Sequence, residues 1–187
     1  EVDRIYVPDG QPVVFDLQVE AEILGCELMW EDFSPPSVIS HPLEEEAKVP
    51  CLCRLPKKED GRIPIVLRVM KRLKEAVGDR TALYGLFCGP LTLASHLRGS
   101  MVFMDMMDDP DYVKDLLGFC TECSKVMVDY YYEAGMDVIA PVDPLVSQIS
   151  PDHFSEFLSK PYTDIMDYIH GYGVFSSFFV CGNATLN

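Results

Sequence analysis

The chain has 187 residues, 48% hydrophobic and 24% charged, and a net charge of −15 at pH 7. That length holds one domain with a sizeable core, and the composition is globular rather than disordered. The acidic balance argues against a nucleic-acid or anionic-membrane surface, although local arginines can still hold a small anion.

No signal peptide opens the sequence, and no apolar run approaches the roughly 20 residues that a membrane helix needs. The 7 cysteines, an odd number in a domain of ordinary size, suit a reducing cytosol better than a disulfide scaffold. A start on Glu1 without methionine and an end at Asn187 soon after a strand raise the expectation of a fragment, inactive alone.

Pro12–Leu17 (PVVFDL) is the first strand candidate, Val19–Leu24 a short helix closed by Gly25, and Cys26–Trp30 a second short strand. Glu31–Lys58, rich in proline and acids, is an irregular excursion longer than ordinary connections. Ile65–Val77 is an amphipathic helix with Val66, Val69, Met70, Leu73 and Val77 on one face, ended by Gly78. Thr81–Cys88 (TALYGLFC) is a buried strand, and Gly89-Pro90 leads into a helix near Leu91–Leu97.

Asp109-Pro110 caps the longest helix, Asp111–Ala134, and Gly135 ends it. Val138–Val142 is a short apolar run of parallel-strand type that stops at Asp143-Pro144. Ser150-Pro151 starts a further helix, which Pro161 should kink or divide, and Val174–Val180 is the last strand.

Alternating strands and helices with buried runs define the α/β class. A closed eight-unit barrel takes about 250 residues. Roughly five strands are legible in this chain, so residues 1–187 read as one partial (β/α) barrel domain. Neither GxGxxG nor GxxxxGK[ST] occurs, which removes the main support for a nucleotide-binding fold.

Asp16, His96, Asp143 and Cys181 each fall at a predicted strand end or in the turn after one, where a barrel gathers its site residues. Each also has a plain structural reading. Asp16 and Asp143 can be caps, His96 a satisfied core residue, and Cys181 a small apolar residue rather than a soft-metal ligand. Cys51-Leu-Cys53 and Cys120-Thr-Glu-Cys123 are too far apart to form a compact zinc ribbon.

Phe15–Leu43, Tyr84–Ser100 (YGLFCGPLTLASHLRGS), Asp108–Leu117, Glu133–Pro144, Ile149–Tyr162 and Val180–Asn183 together resemble the uroporphyrinogen decarboxylase superfamily, in order and over nearly the whole chain. The resemblance implies a TIM (β/α)8 barrel, only partly present here, and one of two chemistries. One is cofactor-free decarboxylation of tetrapyrrole acetate side chains around a central aspartate, which Asp16 matches. In that branch an active-site tyrosine falls on His96, a departure.

The other chemistry is that of the corrinoid-dependent methyltransferases, such as methylcobamide:coenzyme M methyltransferase. These hold a thiol on zinc through a His-x-Cys-Gly turn. Cys181 and Gly182 match the turn, whereas Phe179 stands where the histidine would be. The Gly-Pro-Leu-Thr-Leu and Cys-Gly wording favours the methyltransferase branch. It implies a corrinoid-protein partner or small-molecule substrate, zinc at Cys181, and catalytic roles for Asp16, His96 and Asp143. A non-catalytic corrinoid- or tetrapyrrole-binding domain is the third reading, and a homodimer is among the assemblies it admits.

Overall fold

A computed structural model describes residues 2–182, so Asn183 of the Val180–Asn183 stretch lies outside them. In chain order the elements begin with helix α1 (Val2–Tyr6), strand β1 (Gly10–Val14), helix α2 (Val19–Ile23) and the short strands β2 (Leu28–Met29) and β3 (Ser37–Val38). Helix α3 (Ile63–Val77), strand β4 (Ala82–Cys88) and helices α4 (Pro90–Arg98), α5 (Met101–Asp108) and α6 (Pro110–Glu133) follow. Strand β5 (Val138–Val142), helices α7 (Pro151–His153) and α8 (Ser159–Gly171) and strand β6 (Phe175–Ser176) complete the chain.

The main sheet has 4 strands in the order β1-β4-β5-β6, with every pair parallel. Sequential parallel neighbours joined through helices are the layout of a barrel wall. The β4–β5 register pairs Tyr84 with Val138, Leu86 with Ala140 and Cys88 with Val142. Beyond β6, Phe179 bridges Val142 in the same parallel sense.

Alternation sorts the side chains into two faces. Leu86, Ala140 and Val142 pack together on the inner face. Leu83, Phe87 and Ile139 pack on the other side against Val66 and Met70 of α3 and Met127 and Tyr131 of α6. A second helix-side cluster gathers Leu91, Leu93 and Leu97 of α4 with Val113, Leu116, Leu117 and Cys120 of α6. Both faces of β5 are covered, which explains its unbroken apolar run.

Local signals set the helix ends. The Asp109 side chain accepts a hydrogen bond from Tyr112 N at 3.2 Å, and Ser150 accepts one from His153 N at 3.1 Å. Gly135 follows α6 at φ 83°, where a side chain would be strained. Before Pro161 the helix widens into a π-helical turn at Phe154–Leu158, and the proline then sits in the first turn of α8.

Three expectations need correction. The last strand, expected at Val174–Val180, narrows to Phe175–Ser176 with the isolated Phe179 bridge beyond it. The strand expected at Cys26–Trp30 shrinks to Leu28–Met29, which pairs antiparallel with Ser37–Val38 in a separate hairpin. Its polar and proline-rich surroundings offer no second face to bury, so it does not join the barrel wall. Helix α5 was not expected, because only Val102, Asp105 and Met106 of its 8 residues are buried and the apolar period is faint. Among the described residues no helix is long and apolar enough to cross a membrane.

Candidate active site

The inner face of the sheet borders a half-open cavity of about 330 Å³, lined by Gly10, Pro12, Phe15, Tyr84, Leu86, Ala140, Ser177 and Phe179. None of these side chains carries a charge at neutral pH, so the inner surface suits an uncharged group. At its rim the Phe15 and Phe179 rings meet edge to face, with centroids 5.9 Å apart and planes at 84°.

Asp143 leaves β5 one residue after the inward Val142 and so turns to the helix side. It is fully buried, and its carboxylate accepts four hydrogen bonds. Leu91 N (2.9 Å) donates to Oδ2 and Thr92 N (3.0 Å) to Oδ1, both from the first turn of α4. The Thr92 hydroxyl (2.6 Å) donates to Oδ1 and the Tyr162 hydroxyl (2.6 Å) to Oδ2.

The carboxylate therefore caps α4 from a neighbouring strand. Burial raises its pKa, and the bonds from Thr92, Tyr162 and the Leu91 N–H oppose that rise. Gly89 is required by this closeness, since a Cβ there would lie 2.4 Å from Asp143 Cβ. A cap of its own loop or of the next helix does not describe Asp143: its side chain makes no capping hydrogen bond to the Pro144–Gln148 turn and binds the start of the earlier helix α4 instead.

At the end of β1, Asp16 sits in a different setting. One of its oxygens accepts Gln18 N at 3.0 Å, and the other pairs with the Arg62 guanidinium. Arg62 Nε also bonds Glu22 Oε2 at 2.7 Å, and its guanidinium stacks 4.9 Å from the exposed Trp30 ring. Behind this pair lies Glu20, 2% exposed, which accepts the Cys88 N–H at 3.2 Å. Its Oε2 and the Arg62 Nη2 are buried without a hydrogen-bond partner. Burial lifts the Glu20 pKa to about 7, against the hydrogen bonds from backbone N–H groups that favour the charged form.

Sequence reasoning missed Glu20 and Arg62. In Val-Glu-Ala-Glu-Ile the two acids look alike, and nothing local says that Glu20 is buried whereas Glu22 reaches Arg62.

His96 lies on α4 and is turned away from the cavity. Its carbonyl accepts the Cys26 thiol at 3.2 Å and pairs with His41 Nδ1 at 2.8 Å, while its own Nδ1 is buried without a partner. Burial, then the neighbouring His41, lowers its pKa to about 4, so the ring is neutral at neutral pH. Tyr84, on the inner face of β4, is the tyrosine that lines the cavity instead.

Cys181 is exposed, just beyond the rim. Partial burial, then the charge of Asp143, raises its pKa, so it presents a protonated thiol. Its expected histidine partner is replaced by Phe179, whose ring is engaged with Phe15. Among the described residues no group of three or more His, Cys, Asp or Glu can hold a metal ion. Cys181 with Phe179 in place of a histidine does not supply, among the described residues, the three or more protein ligands that zinc takes. The structure therefore brings Asp16, Glu20 and Arg62 together, holds Asp143 in the helix layer, and leaves His96 and Cys181 apart from them.

The comparisons agree with this architecture. A sequence model described as uroporphyrinogen decarboxylase (URO-D) matches residues 2–186. The chain is 32% identical over 179 residues to the methylcobamide:CoM methyltransferase MtbA of Methanosarcina mazei, covering 92% of this chain and 52% of that protein. It is 28% identical over 168 residues to a uroporphyrinogen decarboxylase of a Sulfurovum species, covering 86% of this chain and 48% of that one. A solved methyltransferase structure from Methanosarcina mazei superposes with a TM-score of 0.81 at 30% identity, covering 97% of this chain and 54% of that chain. The chain thus spans about half the length of the curated relatives it matches. With a parallel barrel wall and a family match along nearly its whole length, the chain belongs to the uroporphyrinogen decarboxylase (URO-D) family.

Proposed function

We propose that this protein belongs to the methyltransferase branch of the family and moves a methyl group between a methylcobamide (corrinoid) protein and a thiol or similar acceptor. The 32% identity to a methylcobamide:CoM methyltransferase and the structural likeness to a methyltransferase support this reading. The observation that carries it over decarboxylation is the closer likeness to the methyltransferase, 32% over 92% of this chain against 28% over 86% for the decarboxylase.

In the proposed reaction the uncharged, half-open cavity takes up the transferred methyl group among its apolar side chains. The partly exposed Asp16–Arg62 pair, whose Asp16 follows the cavity-lining Phe15, gives polar substrate groups a fixed point of contact. Decarboxylation remains the second reading, supported by the 28% identity to a uroporphyrinogen decarboxylase. A corrinoid-protein partner, a cytoplasmic location and a homodimer complete the proposal.

The test is methyl transfer from a methylcobamide-loaded corrinoid protein to a small thiol, measured alongside carbon dioxide release from uroporphyrinogen. Transfer without decarboxylation is expected, and the reverse result overturns the reading. Tight binding of the corrinoid protein without turnover identifies a binding domain instead. Metal analysis of the same preparation addresses zinc directly, because stoichiometric zinc lost on Cys181→Ala returns a metal to the site.

A further inference from the structure

Far along the excursion, Cys51 and Cys53 take no part in the chemistry described above. The stretch Val49-Pro-Cys-Leu-Cys-Arg-Leu-Pro56 is pinned at both ends. Val49 and Leu55 pack against the helix-side core, and the carbonyl of buried Pro56 accepts the Tyr130 hydroxyl at 3.0 Å. Between these anchors Cys51, Leu52, Cys53 and Arg54 are all exposed. A 3₁₀ turn at Leu52–Arg54 folds the two cysteines onto each other, and Cys53 N–H donates to Cys51 Sγ at 3.2 Å. That contact brings the Cys51 sulfur against the Cys53 backbone, and a disulfide between the two needs their Cα atoms about 4.4–6.8 Å apart.

The two thiols are unequal. Hydrogen bonds from the Cys53 thiol and N–H hold the Cys51 pKa below its ordinary range, and the same contact raises that of Cys53. Cys51 is thus the better nucleophile, with a second thiol beside it. Cys53 opens on a cleft of about 350 Å³ whose lining includes Arg54, Lys57 and Asp60, two cations against one anion. The other cysteines lack this combination. Cys26, Cys88, Cys120 and Cys123 are buried, and Cys181 is exposed but solitary.

We propose that Cys51 and Cys53 form a thiol–disulfide exchange site for anionic low-molecular-weight disulfides of the glutathione type. The Cys51 thiolate attacks one sulfur of the disulfide, whose S–S bond breaks; one thiol leaves with a proton, and a mixed disulfide remains on Cys51. Cys53 then gives up its proton and attacks the Cys51 sulfur, releasing the second thiol. Two cysteine thiols are oxidised to one disulfide while the small disulfide is reduced to two thiols, a balanced transfer of two electrons and two protons. Arg54 and Lys57 hold the carboxylates of the incoming disulfide beside the cleft.

The test equilibrates the reduced protein with glutathione and glutathione disulfide at graded ratios, followed by acid quench, alkylation and trypsin digestion. Both cysteines lie in the single tryptic peptide Val49–Arg54. In oxidising buffers this peptide is expected unalkylated and two hydrogens lighter, and in reducing buffers doubly alkylated. Cys53→Ser should trap glutathione on Cys51 as a mixed disulfide. Removing both charges, Arg54→Ala with Lys57→Ala, should slow reaction with glutathione disulfide about tenfold while leaving reaction with a neutral disulfide unchanged. A doubly alkylated peptide at every ratio overturns the proposal, as does glutathione on Cys181 rather than Cys51 in the Cys53→Ser protein. Equal slowing of the neutral and anionic disulfides overturns the assignment to anionic partners.

Discussion

Asp143 and Glu20 are both buried carboxyl groups beside the strand ends of one sheet, yet they are opposites. Asp143 receives four hydrogen bonds and joins β5, α4 and α8. Glu20 receives one at Oε1, leaves Oε2 unpartnered, and stands behind the half-open Asp16–Arg62 pair. A satisfied buried group stabilises and orients its neighbours, whereas a partly satisfied one is a liability that titrates readily. The difference teaches that position at a strand end does not set how a carboxyl titrates; its burial and the hydrogen bonds it receives do.

The largest test of that contrast is Asp143→Ala. It strands the Tyr162 and Thr92 hydroxyls and two N–H groups of α4, and should cost about 3–5 kcal/mol in denaturant unfolding. An effect below about 1 kcal/mol would show that α4 does not depend on this cap.

Glu20→Gln probes the other side. The native carboxyl keeps its proton up to about pH 7, whereas an unfolded glutamate releases it near 4.5. The native state therefore binds more protons across that window, and stability falls as pH rises through it, by about 3 kcal/mol in all. The glutamine variant should lose this decline; unfolding midpoints followed from acid to mildly alkaline pH would expose an unchanged slope.

His96 contributes the opposite slope. Its native ring resists protonation down to about 4, against 6.5 for a free histidine, so its stability is complete above 6.5 and is lost as pH falls through the window. His96→Gln should flatten the acid limb, and combining it with Glu20→Gln should remove both contributions, leaving the slope set by the remaining groups, Asp143 among them. A steeper acid limb in His96→Gln contradicts the burial argument. The smallest effect belongs to Arg62→Met, about 1 kcal/mol because the ion pairs it breaks are partly exposed. It should also move the Glu20 transition to higher pH, since Arg62 favours the ionised form.

Much of the scaffold was readable from local chemistry. The paired cap-and-proline signals at Asp109-Pro110 and Ser150-Pro151 mark the starts of α6 and α7 where the structure has them. The apolar runs of β4 and β5 are seen within a residue of their observed bounds, because strands covered on both faces leave no polar positions. Helix α5 and the β2–β3 hairpin were not legible in the same way, since tertiary support rather than periodicity holds them.

The site was less legible. Asp143 could have been placed by parity, one step beyond an inward valine, but parity says nothing of the Tyr162 hydroxyl that arrives 19 residues later. Burial of Glu20 and its pairing region with Arg62, 46 residues from Asp16, depend on contacts that no single stretch encodes.

Arg98 carries a last consequence. Its guanidinium joins Asp105 of α5 at 2.7 Å to the carbonyls of Leu43 and Glu44 in the excursion, at 2.5 and 2.8 Å. A segment as long as Glu31–Lys58 would ordinarily hang as a free tether, but this one is held at the Ser37–Val38 strand, near its midpoint by Arg98, and again at Val49, Leu55 and Pro56. A protease that nicks between Glu44 and Lys48 would therefore leave both cut ends held in place, and the severed chain would still migrate as one particle.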